Sequence, residues 1–206
     1  LLGCIIEKVS GMTFGNFMKE NIFEPLDMKD TAFAVPESEI NRFTSMYTHK
    51  GASVGDIQRE FNDEIFPNDL ILMDSYEDSP YLKMNKVEDG GSGLISTAED
   101  YLKFGQMLND RGSFEGKTIL SENAFAMLSG SYMEDFGLLG IVSLGVGQAI
   151  CMAKITNPAF SQYYQSEGSL FWGGAASTIF WADPVDDLVL VHMTQVLGHP
   201  VDLRAE

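Results

Sequence analysis

Basic residues are scarce in this chain. Its 13 lysines and arginines stand against 30 aspartates and glutamates, which gives a formal net charge of -17 over 206 residues. A charge of that sign opposes binding to phosphate backbones and anionic membranes, so nucleic acid is not expected as a partner. No apolar run approaches the roughly 20 residues of a membrane-spanning helix. The first residues also lack the basic start of a secretion signal.

Cysteine and histidine are scarce as well. Cys4 lies on an apolar helical face and Cys151 in an apolar run, so both are expected to be buried thiols rather than a disulfide framework. The histidines are scattered, and no H-E-x-x-H or Cys/His cluster exists, so neither a metal nor a cofactor is expected. We expect His192 to be a hydrogen-bonded residue of a strand and His199 to lie on the surface. The third histidine is His49.

Hydrophobic residues make up 45% of the chain, enough for a substantial core. Helical periodicity begins at the first residue, Leu1, which suggests that the chain opens in the middle of a helix and is a fragment of a longer product. This helix should end at Ser10 and Gly11. Thr13 then caps a second helix, which Pro25 prevents from continuing.

Helices in the first part and strands in the second predict an α+β fold, with an antiparallel sheet flanked by helices. Ser96 and Glu99 have the spacing of a capping box, and Ser121 is placed to cap a later helix. Strands are predicted at 138–153, 169–172, 177–182 and 188–195, the last covered on both faces. The predicted division is helices at 1–34, a lid or insertion at 35–89 with one helix through Ile57, Phe61 and Ile65, helices at 90–130, sheet strands at 137–196, and the start of a final helix at 199–206.

Glycine and tryptophan crowd one stretch, residues 168–184, which holds both tryptophans of the chain. It predicts a strand, a tight glycine turn and a second strand, followed by a turn at Asp183. Adjacent glycines fit a place where a substrate approaches the backbone along a sheet edge, because a side chain there would stand in the way. They fit equally a β-bulge or corner of an ordinary sheet.

Two other motifs match catalytic signatures in letters only. Residues 51–55 read G-x-S-x-G around Ser53, and Asp183 and His199 follow in the order of a hydrolase triad. That motif needs a strong strand before it, and 44–48 is a poor candidate for a buried strand, so a flexible turn is the preferred interpretation. Gly91-Ser92-Gly93 lacks the lysine of a phosphate-binding loop and is explained by a turn leading into a capped helix.

Several segments together resemble the serine β-lactamase-like hydrolases, which include class C β-lactamases, D-alanyl-D-alanine carboxypeptidases and related esterases. The first 14 residues are similar to the helix after the family's Tyr-x-Asn motif. Residues 22–31 resemble its "PLGM.DT" signature with Asp27 in place of glycine, and 91–100 resemble "GGGL.ST..D". Residues 180–195 resemble its closing hairpin. The resemblance covers nearly the whole chain in the right order and implies a β-lactamase/transpeptidase-like fold, incomplete in this chain.

The resemblance also assigns a site. Trp172-Gly173-Gly174 falls where the family carries its third motif, Lys-Thr-Gly or His-x-Gly, and the backbone N–H of Ala175 would be one of two oxyanion donors. Trp172 and Ala176 would contact the substrate. Since tryptophan cannot offer a substrate carboxylate the charge of a lysine, a neutral ester or amide with an apolar acyl group is favoured as the small-molecule substrate.

The resemblance has one gap. No Ser-x-x-Lys occurs in these residues, and the Tyr-x-Asn motif would end just before Leu1. We therefore expect the nucleophilic serine and the general-base lysine and tyrosine to be encoded upstream, and residues 1–206 alone to be inactive and poorly soluble. Two alternatives stay open: a non-catalytic relative that binds a peptide or cell-wall ligand, and an interaction domain that uses the acidic 35–89 region.

Overall fold

A computed structural model describes residues 1–49, 70–83, 87–133, 137–138, 141–142, 144–161 and 163–197. The described chain divides into two compact units. The first unit is drawn from within residues 1–101, 175–177 and 193–201, and the second from within 102–174 and 178–192. The predicted helices that lie through Ile57 and at 199–206 fall outside the described residues.

The first unit opens with the two helices that the sequence predicts. Helix α1 spans Leu2–Ser10 and ends at Gly11, whose φ of 74° is the left-handed conformation typical of a glycine at this position. Helix α2 spans Phe14–Met18, and the Thr13 hydroxyl caps it by accepting a hydrogen bond from the N–H of Asn16 at 3.2 Å. The chain continues as a π-helical turn at Lys19–Phe23 and, further on, as 3₁₀ turns at Glu37–Arg42 and Pro80–Leu82.

Burial of the two cysteines was predicted and is wrong. Cys4 is exposed on α1, on a helix whose apolar side chains Leu2, Ile5 and Val9 are also exposed. Cys151 is exposed in a turn, at a φ of 59°. In both cases apolar neighbours in the sequence suggested burial, but neighbours in the sequence do not define neighbours in space.

A small mixed sheet completes the first unit. Strand β1 (Met46–His49) lies between β2 (Leu70–Asp74), to which it is antiparallel, and β12 (Val196–Leu197), to which it is parallel. This sheet was not predicted, because Tyr47 of β1 pairs with Val196 of β12, almost 150 positions later in the chain. Residues 46–48 of the segment judged a poor candidate for a buried strand do lie in a strand, β1, in which Tyr47 is exposed.

Asp100 joins two of the segments that carry the family resemblance. Its side chain is 3% exposed and accepts hydrogen bonds from the N–H of Asp30 at 2.7 Å and the hydroxyl of Thr31 at 3.0 Å. Ser96, the predicted cap of the helix that begins at Ala98, instead contacts the Thr31 hydroxyl at 2.8 Å. Thr97 caps that helix, accepting from the N–H of Asp100 at 3.2 Å, so the predicted Ser96–Glu99 capping box is wrong.

We expect Asp100→Ala to lower the free energy of unfolding of the whole protein by about 3 kcal/mol, because charged hydrogen bonds are worth about 1.5–3 kcal/mol each. Asp89→Ala is the control, since the Asp89 carboxylate also accepts hydrogen bonds, from the N–H groups of Gly91 and Ser92 and the hydroxyl of Ser92, but is exposed. Its loss should stay below about 1 kcal/mol. Urea unfolding measures both, and equal losses would contradict a special role for the buried carboxylate.

The second unit contains a five-stranded antiparallel sheet in the order β11-β10-β9-β8-β7. Its strands are β7 (Val146–Gln148), β8 (Ala153–Ile155), β9 (Leu170–Gly173), β10 (Ile179–Asp183) and β11 (Leu188–His192). The remaining elements are α3 (Ala98–Asn109), which begins in the first unit, α4 (Glu122–Leu128), and the strand pairs β3 (Ser113–Phe114) with β4 (Lys117–Thr118) and β5 (Gly137–Leu138) with β6 (Ile141–Val142).

Three of the four predicted strands correspond to single strands of this sheet. The exception is 138–153, which is divided among β5, β6, β7 and the first residue of β8, with Cys151 in the turn between the last two. Ser121 caps α4 as predicted, accepting from the N–H of Ala124 at 3.2 Å. In β11 Leu188 is exposed and the other four residues are only half-buried, so the prediction that this strand is covered on both faces is wrong.

Aromatic side chains fix this sheet within its unit. Phe180 of β10 packs edge-on against Phe104 of α3, with ring centroids 6.3 Å apart. Val189 of β11 lies against the same helix at Gly105, where a β-carbon would meet its side chain. The unit also contains a hydrophobic cluster of buried side chains: Val146, Ala153, Ile155 and Phe171. Three partly buried aromatic residues pack against it: Tyr163, Trp172 and Trp181.

Candidate active site

The glycine and tryptophan segment forms the hairpin that its sequence predicts. Strand β9 ends at Gly173 and β10 begins at Ile179, and these two residues are paired across the hairpin. The N–H of Gly174 donates to the carbonyl of Thr178 at 2.8 Å and closes the turn. The predicted turn after β10 is also present, at 184–187.

The last residues of β9 have an open edge. Strand β8 pairs with β9 only at Leu170 and Phe171, whereas β10 continues alongside to Gly173. Backbone groups in a strand point alternately to the two sides. Because the N–H of Gly174 points toward β10, the N–H and C=O of Gly173 point to the other edge, beyond the last β8 pair. Among the described residues, no strand pairs with this edge of β9 at Gly173.

The two glycines of the motif differ in what surrounds them. A β-carbon at Gly173 would lie 3.5 Å from the carbonyl oxygen of Thr178, an ordinary contact. A β-carbon at Gly174 would collide with the Thr178 hydroxyl. Gly174 therefore lets the turn close tightly, whereas a β-carbon at Gly173 would fit without displacing the turn.

The N–H of Ala175 makes no hydrogen bond within the part of the chain that the structure describes. It is exposed, and it follows directly on Gly174, whose own N–H is fixed by Thr178. On the other side, the carbonyl of Ala176 is held by the Thr194 hydroxyl at 2.5 Å. The N–H of Ala175 is thus an exposed donor between a Gly174 N–H and an Ala176 carbonyl that each make a hydrogen bond.

Sequence reasoning missed Thr194 and Ser177, which anchor this turn. Ser177 has a φ of 62°, a left-handed conformation that costs a residue other than glycine about 1–2 kcal/mol. Its hydroxyl donates to the carbonyl of Val196 at 3.0 Å. The one signal in the sequence is a serine inside a glycine-rich turn, where a positive φ is required.

The structure gives Asp183, one member of the alternative triad, a structural role. It is 2% exposed and accepts hydrogen bonds from the backbone N–H groups of Ser166, Val185 and Asp186 at 2.8, 3.0 and 3.2 Å. Burial acts to raise the pKa of this carboxyl, but the backbone hydrogen bonds outweigh it and hold the pKa below the ordinary aspartate value. The other two members of that triad, Ser53 and His199, lie outside the described residues.

No group of three or more metal-binding side chains occurs among the described residues. His192 lies in β11 opposite Ile179, as predicted for a sheet residue, but its Nε2 is buried without the hydrogen-bond partner that was expected.

A small cavity in the first unit is lined by Phe33, Val87, Glu88, Asp89 and Gly93. Within the same described ranges, no helix is both long and apolar enough to cross a membrane.

Helices together with an antiparallel sheet form a β-lactamase/transpeptidase-like fold, so the predicted fold class is confirmed. The chain belongs to the beta-lactamase family, whose model matches residues 1–206. The family resemblance drawn from its segments is thereby confirmed as well.

Individual relatives locate the chain within that family. Protein Rv1367c of Mycobacterium tuberculosis is 27% identical over 214 residues, an alignment that covers 100% of this chain and 48% of the relative. In structure the chain is similar to EstCE1, a hydrolase with promiscuous acyltransferase activity, at a TM-score of 0.74, 20% identity and coverage of 99% of this chain and 51% of that one. It is also similar to a LovD6 mutant of simvastatin synthase from Aspergillus terreus, with a TM-score of 0.72, 18% identity and coverage of 96% and 48%. The chain thus spans about half the length of the relatives it matches.

Proposed function

We propose that the protein carrying this chain is a serine hydrolase that cleaves ester or amide bonds through an acyl-enzyme. The observation that supports this most is the unpaired N–H of Ala175, at the position where the family's third motif is followed by an oxyanion donor. Acyl transfer places negative charge on the carbonyl oxygen, and a fixed donor aimed at it lowers the barrier by about 3 kcal/mol.

In this proposal the chain supplies the substrate strand and half of the oxyanion hole. The acyl group lies along the open edge of β9 at Gly173, and Trp172 and Ala176 contact it. The nucleophilic serine, with a lysine or tyrosine that removes its proton, comes from outside residues 1–206, since no Ser-x-x-Lys occurs within them.

The substrate is a neutral ester or amide with an apolar acyl group. Trp172 stands where a lysine would bind a carboxylate, and the chain's net charge of -17 repels anions. The similarity to EstCE1, described as a hydrolase that also transfers acyl groups, is consistent with an ester substrate.

Active-site labelling of the whole protein tests the function. We expect a fluorophosphonate probe to attach covalently to one serine outside residues 1–206 and to abolish hydrolysis of p-nitrophenyl butyrate in proportion. Peptide mapping by mass spectrometry locates the label. Attachment at Ser53 would support the G-x-S-x-G alternative. No labelling and no hydrolysis would leave the non-catalytic relative that binds a peptide or cell-wall ligand.

Trp172→Lys tests the basis of substrate choice. We expect the ratio of kcat/KM for the carboxylate-bearing β-lactam nitrocefin to that for p-nitrophenyl butyrate to rise about fivefold, since one added ion pair is worth about 1 kcal/mol. Trp172→Met is the control, because it makes a similar change in volume without a charge. Equal ratios in the two variants would contradict the assignment of Trp172 to the carboxylate-binding position.

A further inference from the structure

Two crossed hydrogen bonds fasten the turn that carries Ala175. The Thr194 hydroxyl donates to the backbone carbonyl of Ala176 at 2.5 Å, and in the opposite direction the Ser177 hydroxyl donates to the carbonyl of Val196 at 3.0 Å. The N–H of Val196 also reaches the Ala176 carbonyl, at 3.4 Å. The segments 176–177 and 194–196 therefore each bind the backbone of the other through a hydroxyl side chain.

The segment that holds the turn is itself held by the small sheet of the first unit. The N–H of Tyr47 in β1 donates to the carbonyl of Gln195 at 2.8 Å, directly between Thr194 and Val196. Tyr47 and Thr48 then pair with the two residues of β12. The turn is thus tied, through Thr194, to a hydrogen-bonded sheet.

Ser177 retains a conformation that a glycine would adopt more easily. Its φ of 62° lies in the left-handed region, where a β-carbon is unfavourable. Glycine would relieve this strain but would also remove the hydroxyl that binds Val196. Replacing Ser177 with glycine therefore exchanges one hydrogen bond for a less strained backbone, two contributions to stability of similar size.

We propose that Thr194 and Ser177 are positioning residues that fix the N–H of Ala175 for oxyanion binding. This inference rests on the proposed function. The Ala176 carbonyl is held on one side of Ala175 and the Gly174 N–H on the other, so Ala175 keeps its direction only while both are fixed. Without the threonine hydroxyl, the Ala176 carbonyl keeps only the longer hydrogen bond from the N–H of Val196, at 3.4 Å.

Kinetics of the whole protein on p-nitrophenyl butyrate test this inference. For Thr194→Val, which replaces the hydroxyl with a methyl group, we expect kcat to fall about 10–30-fold and KM to stay within about twofold, because small misplacements of a catalytic donor act on the transition state. Ser177→Gly should lower kcat in the same direction without loss of thermal stability. Thr194→Ser restores the hydroxyl and should keep kcat within about threefold of wild type. The matched control is Ser129→Ala, which removes a hydroxyl bond of 2.8 Å to the Phe125 carbonyl at the end of α4 and should leave kcat unchanged.

A thionoester separates positioning from general damage to the fold. Sulfur is a weak hydrogen-bond acceptor, so the thionoester of the same substrate depends little on the oxyanion donors. Thr194→Val should lower kcat on the thionoester by less than about threefold.

Equal losses on the two substrates, or wild-type kcat in both Thr194→Val and Ser177→Gly, would overturn the inference while the proposed function stands. If Thr194→Val does not fold, Ser177→Gly decides in the same way. A wild-type protein that hydrolyses neither substrate would overturn the proposed function itself, and the inference with it.

Discussion

Gly174→Ala lowers kcat/KM of the whole protein for p-nitrophenyl butyrate by about 30-fold, on this account. The backbone of Gly174 does not adopt a positive φ, so alanine is compatible with its conformation. The obstacle is steric, because the new β-carbon would collide with the Thr178 hydroxyl. The turn must shift to relieve this overlap, and a shift of about 1 Å in a catalytic group can cost about 100-fold in rate.

Removing the obstacle should restore the activity. In Gly174→Ala/Thr178→Ala the nearest side-chain atom of residue 178 is its β-carbon, 3.7 Å from the new methyl group. We expect the double variant to recover to within about threefold of wild type, and Thr178→Ala alone to differ from wild type by no more than that. Gly91→Ala is the control for a glycine-to-alanine change elsewhere in the chain, since its β-carbon would make only an ordinary contact, 3.5 Å from Oδ1 of Asp89. A single Gly174→Ala variant as active as wild type, or a double variant as impaired as the single, would contradict the steric argument.

Local signals in the sequence predict the features that depend on local structure. Gly11 ends the first helix, and Thr13 and Ser121 cap the helices that follow them. The turn between β9 and β10 falls where adjacent glycines predict it. Asp27 also keeps a φ of 57° at the position where the family signature has glycine. The family could be identified because several such segments occur in the right order.

Contacts between distant segments account for the errors. The β1-β2-β12 sheet pairs Tyr47 with Val196, and nothing near Tyr47 in the sequence signals a partner so far away. The cap at Ser96 was wrong because its hydroxyl contacts Thr31 and the neighbouring Thr97 caps instead. The β7–β8 turn was missed because Cys151, a residue not typical of turns, adopts the positive φ.

The sequence predicts the hairpin that carries the candidate site, but not the contacts that hold its turn. The resemblance places Trp172 to Ala176 at the third motif, and the oxyanion assignment to Ala175 remains a proposal. The bonds from Thr194 and Ser177 depend on a segment that the chain reaches only after two further strands. Side-chain to main-chain bonds of this kind leave no periodicity in a sequence.

The central claim, that the N–H of Ala175 binds the oxyanion, is tested most directly by removing that one hydrogen. Incorporation of lactic acid at position 175 of the whole protein replaces the N–H with an ester oxygen and keeps the methyl side chain. The same exchange at Ala159 is the control, because its N–H bonds only to the side chain of Asn157, at 3.1 Å in an exposed turn. We predict a fall in kcat for p-nitrophenyl butyrate of about 100–1,000-fold at position 175 and none at 159. Equal kcat values for the two exchanged proteins would contradict the account.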